Sequence, residues 1–248
     1  MGADVTGPRS PHPFGQPTTQ VVVASLAGDS LRIEGDEAKH LVKSLRLGPG
    51  GTCVATDGEG AVARLVLRAV DRRGVDADVL ERVQVDPPPF RLWLAAEAEG
   101  ARADWLVEKA VELGAWGFCP LTVPEPARIE RWRRLARAAL KQSLGAWALR
   151  LAADRPALDT ARLGVFTGLW LGDPSGGDPL AEPLPGQGDW LLVSGPPAGF
   201  TPVDDRAFGG LPGARRVALG PRRLRAETAA LALLVAAALV ARPTWETG

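Results

Sequence analysis

The chain has 248 residues, 46% of them hydrophobic and 23% charged, a make-up that excludes disorder over most of its length. Its 29 Lys and Arg balance 29 Asp and Glu, which excludes a strongly basic nucleic-acid coat but permits local basic faces. The two cysteines, Cys53 and Cys119, and two histidines, His12 and His40, match no disulfide framework or zinc spacing, so no metal site is expected.

In chain order, residues 1–19 read as a flexible tail with four prolines and no apolar core of a signal peptide. From residue 20 to 86 the pattern predicts short strands at Val21–Val23, Leu31–Ile33, Cys53–Ala55, Ala63–Leu67 and Val79–Val85. Turn dipeptides such as Asp57-Gly58 and Arg73-Gly74 separate them, which suggests a small β-barrel. One helical stretch, Glu37 to Arg46, interrupts the strands and carries Lys39, His40, Lys43 and Arg46.

Asp86-Pro87-Pro88-Pro89 reads as a stiff linker. Beyond it, residues 90–248 read as α/β. Strands are expected at Phe90–Ala96, Gly117–Thr122, Trp190–Ser194 and Arg216–Leu219. Helices are expected at Arg102–Leu113, Arg128–Leu144 and Ala226–Ala241. Strand–helix alternation implies a mainly parallel sheet. The last helix is apolar all round and should be buried or lie at a subunit interface. Its apolar run, Ala229 to Ala241, falls short of the roughly 20 residues a membrane span needs, so a soluble, cytoplasmic protein is expected. Residues 150–189 are rich in Gly and Pro and show no clear period.

Chemistry is concentrated in two loops. Ser194-Gly195-Pro196-Pro197-Ala198-Gly199-Phe200 and Leu219-Gly220-Pro221-Arg222-Arg223-Leu224-Arg225-Ala226-Glu227-Thr228 each follow a predicted strand, where open α/β sheets place ligands. Read alone, they are either a small-molecule pocket or two ordinary turns. Residues 128–150 hold seven basic residues against Glu130, and residues 206–225 hold six basic and no acidic ones. Such patches suit either phosphates or a solvated helix face.

Taken together, these segments resemble the bacterial 16S ribosomal RNA uridine-N3 methyltransferases, the RsmE family of the SPOUT (trefoil-knot) superfamily. Gly35 to Leu47 and Asp57-Gly58-Glu59-Gly60 are similar to the family's PUA-like barrel. Trp105 to Gly114 and Arg131-Trp132 through Gln142-Ser143 resemble the first helices of its catalytic domain. Leu219 to Ala229 is close to its motif L-G-P-R-x-L-R-x-E-T-A. The resemblance implies a knotted α/β domain behind a PUA-like domain, a homodimer, S-adenosylmethionine as donor and 16S rRNA of the small ribosomal subunit as substrate. It implies a cofactor site at Ser194, Gly195, Pro196, Gly199, Leu219, Gly220, Leu224, Glu227 and Thr228. It further implies RNA contacts from His40, Lys43, Arg46, Arg102, Lys109 and Arg222, with Arg225 stabilising the uracil edge as it becomes anionic.

The chain departs from the family where G-P-E-G-G is replaced by Gly195-Pro196-Pro197-Ala198-Gly199. Glu99 stands where Lys is common, and Gln142-Ser143-Leu144-Gly145-Ala146 where Q-S/C-x-R-N is common. Those departures leave a second expectation open: a non-catalytic homologue that binds RNA or a protein partner.

Overall fold

A computed structural model of the chain describes residues 12–15, 17, 19–97, 99–181, 184 and 187–241. Most of the expected N-terminal tail lies outside the described residues. The chain divides into two compact units, residues 1–87 with 140–148, and residues 88–139 with 149–248.

The first unit is built on a five-stranded sheet of order β1-β3-β4-β5-β2. Its strands are β1 (Gln20–Val22), β2 (Ser30–Glu34), β3 (Thr52–Thr56), β4 (Ala61–Val70) and β5 (Gly74–Gln84). β1 pairs parallel with β3, and the other pairs are antiparallel. Alternating apolar residues put Val21, Ile33, Ala55, Leu65, Leu67 and Val75 into one core with Leu41. The predicted helix is α1 (Gly35–Lys39), which runs on as a wider π-type turn over His40–Ser44. Arg46, at φ 55, ends it in the left-handed region.

Residues 140–148 complete this unit from far along the chain. The Gly60 amide donates to the Ala146 carbonyl at 3.0 Å, the Ala148 amide to Gly58 at 2.9 Å, and Gln20 Nε2 to Gly145 at 2.9 Å. Lys141 Nζ lies 3.1 Å from the nearly buried Glu37 carboxylate.

The second unit carries a six-stranded, all-parallel sheet of order β11-β9-β10-β6-β7-β8. The strands are β6 (Phe90–Ala96), β7 (Gly117–Pro120), β8 (Arg150–Leu151), β9 (Gly168–Gly177), β10 (Gly188–Val193) and β11 (Ala214–Val217). The helices are α2 (Gly100–Glu112), α3 (Pro126–Ser143), α4 (Ala157–Arg162), α5 (Pro202–Gly209) and α6 (Ala226–Val240). Helices cover both faces, so the central strands are apolar on both sides. Ala95, Cys119, Leu169, Leu171, Leu191 and Val193 share a core with Ala157 of α4 and Phe208 of α5. On the other face α6 packs on β6, β9, β10 and α2, burying Ala230, Leu233, Leu234 and Ala237.

Asp104 links α2 to α3. It accepts from the buried Trp132 indole at 3.0 Å and from Arg131 at 2.6 Å. Trp132, Ala136 and Ala139 are buried as the amphipathic pattern of α3 requires.

The largest difference from the sequence reading is the stretch 150–189. It holds α4 and β9, and β9 is an interior strand between β10 and β11. Its glycines hide it from a pattern search, yet packing demands them. A Cβ on Gly168 would come within 2.5 Å of the Trp190 ring, and one on Gly176 within 2.5 Å of the Arg216 backbone.

Candidate active site

The first loop leaves the carboxyl end of β10. Ser194 is 2% exposed, and its Oγ donates to the Ala226 carbonyl at 2.9 Å, tying the loop to the start of α6. Gly195 gives room to Phe200, whose ring would lie 3.0 Å from a Cβ there. Residues 196–199 form a tight turn closed by the Gly199 amide donating to the Pro196 carbonyl at 2.8 Å. Pro197 occupies the second position of that turn, where its fixed φ is favourable and no N–H is needed. The left-handed residue is Gly199, at φ 84, while Ala198 keeps an ordinary backbone. The replacement of glycine by Ala198 therefore costs no backbone strain.

The second loop leaves β11 and runs into α6. Gly220 has φ 122, and a Cβ there would meet nothing within 4 Å, so its main chain is open to an approaching group. Arg223 Nη2 donates to the Pro197 carbonyl at 2.7 Å, joining the two loops. Arg225 is the N-cap residue of α6; its carbonyl accepts from Ala229. Its guanidinium is exposed and has no hydrogen bond or ion pair to the described residues. Glu227, in the first turn of α6, has a side chain only 15% exposed, 3.5 Å from Arg102 Nε on α2.

Two hollows open on these elements. A broad apolar groove of about 920 Å³ is lined by Leu219, Gly220 and Thr228 of the second loop and α6, by Asp178-Pro179-Leu180 after β9, and by Trp105 of α2. Leu231, Val235 and Leu239 of α6 form its floor. A smaller cleft of about 180 Å³ is lined by Pro197, Ala226, Glu227, Arg102, Glu97 and Glu99. The structure thus distributes the expected cofactor residues. Leu219, Gly220 and Thr228 face the groove, and Glu227 faces the cleft. Ser194, Gly195, Pro196, Gly199 and Leu224 line neither hollow, although Ser194 is bonded to Ala226 of the cleft wall, which Pro197 also lines. Trp105 and Asp178 were not singled out for the site by the sequence reading. Trp105 is 45% exposed at the groove.

The expected RNA-contacting residues fall into two groups. Lys43, Arg46 and Arg222 are exposed and His40 is half-buried; none has a side-chain partner among the described residues. Arg102 faces Glu227, and Lys109 is held by Glu108 at 2.9 Å and Glu112 at 2.8 Å, which raises its pKa. The basic face of α3 is partly neutralised as well. Arg131 pairs with Asp104, Arg133 with Glu130, and Lys141 with Glu37. No group of His, Cys, Asp and Glu among the described residues is arranged to hold a metal ion, and none of the helices is long and apolar enough to cross a membrane.

The sequence profile of the RNA methyltransferase domain family matches residues 87–238, and that of the RNA methyltransferase PUA domain matches residues 33–80. The chain belongs to the RNA methyltransferase family. Similar curated proteins are the ribosomal RNA small subunit methyltransferase E of Mycobacterium bovis, 30% identical over 82% of this chain and 83% of its own length, and that of Bacillus subtilis, 26% identical over 82% and 88%. A solved ribosomal RNA small subunit methyltransferase E from Neisseria gonorrhoeae, bound to S-adenosyl methionine, shares the fold with a TM-score of 0.78. It is 22% identical, over 89% of this chain and 97% of that one. The expected fold class, an α/β domain with a mainly parallel sheet and a smaller PUA-like domain, is therefore met. Within this RNA methyltransferase, residues 219–229, where the sequence resemblance is densest, form the second loop and the first turn of α6, the segment that lines both hollows.

Proposed function

We propose that this RNA methyltransferase moves a methyl group from S-adenosylmethionine to N3 of a uridine in 16S ribosomal RNA, acting on the small ribosomal subunit in the cytoplasm as a homodimer. The observation that carries the reading is the second loop. Gly220 opens main chain onto an apolar groove of about 920 Å³, and the same loop ends in an exposed Arg225, without a side-chain partner among the described residues, at the start of α6. That volume suits a nucleoside-sized ligand. The residues fit an adenosyl donor: Leu219, Trp105 and Thr228 offer apolar walls and a hydroxyl, and Gly220 removes the side chain that would block approach. Ser194, Gly195, Pro196, Gly199, Leu224 and Glu227 shape the adjoining loops.

The donor, when bound, supplies a sulfonium methyl that needs alignment more than activation. The chain's task is to align the uracil and to help N3 lose its proton. Arg225 sits where the amide ends of α6 are directed, and its guanidinium stabilises negative charge growing on the uracil edge. Lys43, Arg46 and Arg222, with His40, offer polar or charged contacts to RNA. Arg102 and Lys109 serve the RNA only by exchanging a carboxylate partner for a phosphate. The donor takes the end of the groove at Leu219, Gly220, Trp105 and Thr228; the exposed Val235 and Leu239, two to three turns further along α6, with Leu180, form the face that a second copy would cover.

A non-catalytic homologue would be favoured by a first loop unable to take its turn. The ordinary backbone of Ala198 and the retained left-handed Gly199 count against that. The test is nucleoside mass spectrometry of 16S RNA from cells with and without the gene, together with turnover of the Arg225→Ala protein. Deletion should abolish 3-methyluridine. Arg225→Ala should lower turnover by about 100-fold or more while leaving donor affinity intact. Unchanged turnover would refute the role of Arg225, and a 3-methyluridine level that a purified protein cannot restore would refute the activity.

A further inference from the structure

We infer that Arg223 is a positioning residue that clasps the first loop to the second and so sets donor affinity, an inference that rests on the proposed function. In the sheet, β9 lies between β10 and β11, so the two loops leave strands about 10 Å apart. Nothing in the strand pairing holds their outer parts together. Two hydrogen bonds do. The inner one is buried, from Ser194 Oγ to the Ala226 carbonyl at 2.9 Å. The outer one is the 2.7 Å bond from Arg223 Nη2 to the Pro197 carbonyl.

Position 197 makes that outer bond the critical one. A proline has no N–H, so its peptide offers only the carbonyl as a handle. The turn bond from Gly199 to Pro196 fixes the shape of the loop and leaves its placement free. Arg223 supplies the placement, with a charged donor to a neutral acceptor. Pro197, Ala226 and Glu227 share the wall of the 180 Å³ cleft, so a loop released at Pro197 would widen that cleft, and it would free the second loop, whose Leu219 and Gly220 wall the donor groove, of its outer tie. Arg223 itself lines neither hollow, which separates it from residues that touch a ligand. Its side chain is exposed, so its loss should leave global stability unchanged.

The experiment compares the full chain with Arg223→Met, which keeps the aliphatic stem, and Arg223→Lys, which keeps a charged donor. S-adenosylmethionine and S-adenosylhomocysteine are titrated by calorimetry, steady-state constants are measured, and amide hydrogen exchange is followed over residues 195–200 without ligand. A charged hydrogen bond discounted for exposure predicts a donor Kd and KM raised about 5- to 10-fold in Arg223→Met. It also predicts kcat and melting temperature near wild type, faster exchange at Ala198 and Gly199, and partial rescue by Arg223→Lys. Unchanged Kd and unchanged exchange in Arg223→Met would overturn the inference, as would a fall in kcat with KM constant. If the wild-type chain takes up neither ligand, the proposed function fails, and the clasp is decided by exchange alone: faster loop exchange in Arg223→Met upholds it, equal exchange overturns it.

Discussion

Gly220→Ala isolates the contribution of one backbone conformation to the site. At φ 122 the residue lies where L side chains rarely go, and an added Cβ would meet no atom within 4 Å. The substitution therefore introduces no clash, and its whole cost is the strain of the backbone, about 1–3 kcal/mol. If the strain is borne in the folded chain, the melting temperature falls by about 2–12 °C for a chain of this size. If the loop instead relaxes, the wall formed by Leu219 and Gly220 moves and donor binding weakens by about 5- to 150-fold. The assay is calorimetric titration with S-adenosylhomocysteine beside a thermal melt. Gly177→Ala is the control: it lies next to Asp178 of the same groove, its φ is ordinary, and its Cβ would also meet nothing. A Gly220→Ala protein that binds and melts like wild type would refute the reasoning. Equal damage from Gly177→Ala would do the same.

Three further outcomes are expected. Asp104→Ala should lower unfolding free energy by about 1–3 kcal/mol in urea, because it strands the buried Trp132 indole N–H, while Asp104→Asn keeps an acceptor and should cost less; equal losses would argue against the hydrogen bond. Burial pushes both Cys53 and Cys119 up to about 12, so neither should react with a thiol reagent at pH 8 until the chain unfolds; prompt labelling of the native protein would contradict their placement. The Arg32 guanidinium, 2.7 Å away, with the amides of Arg73 and Gly74, pulls Asp71 down to about 2 from an ordinary 3.8. A depressed aspartate stabilises the fold fully above its unfolded value and loses that contribution as pH falls through its folded value. Stability should therefore fall between about pH 4 and pH 2, and Asp71→Asn should flatten that limb; an identical acid limb in the variant would exclude the pairing.

How much of this was legible in the sequence depended on whether local pattern and tertiary demand agreed. They agreed for β6, where Phe90–Ala96 is an apolar run buried on both faces, and for α2 and α3, whose apolar stripes match their buried sides. They agreed again at the two loops, because glycine and proline after a strand mark the ends where ligands sit. They conflicted at β9, whose glycines serve Trp190 and Arg216 and so read as loop. α5 escaped notice although Thr201, Pro202 and Asp204 form a start signal, with the Asp204 amide donating to Thr201 Oγ at 3.2 Å. The site was half legible. Sequence points to Leu219 through Thr228. It does not show that the segment after β9 brings Asp178 to the same groove, because that depends on contacts outside a local window. The pairing of Lys109 with Glu112, three residues on along α2, is a local spacing and was open to a sequence reading.

The contribution of residues 140–148 to the first unit sets a schedule for the newborn chain. The Gly58 carbonyl, the Gly60 amide and the Gln20 side-chain amide each meet a partner on a segment about sixty residues beyond Pro87. At synthesis rates of about 5–20 residues per second, the N-terminal sheet waits roughly 3–12 s after its last strand is made before those partners exist. During that interval the turn at Gly58 and Gly60 carries an unanswered carbonyl and an unanswered amide, a moment at which a chaperone or a misplaced strand can reach it. A gene truncated at the proline linker would make that interval permanent.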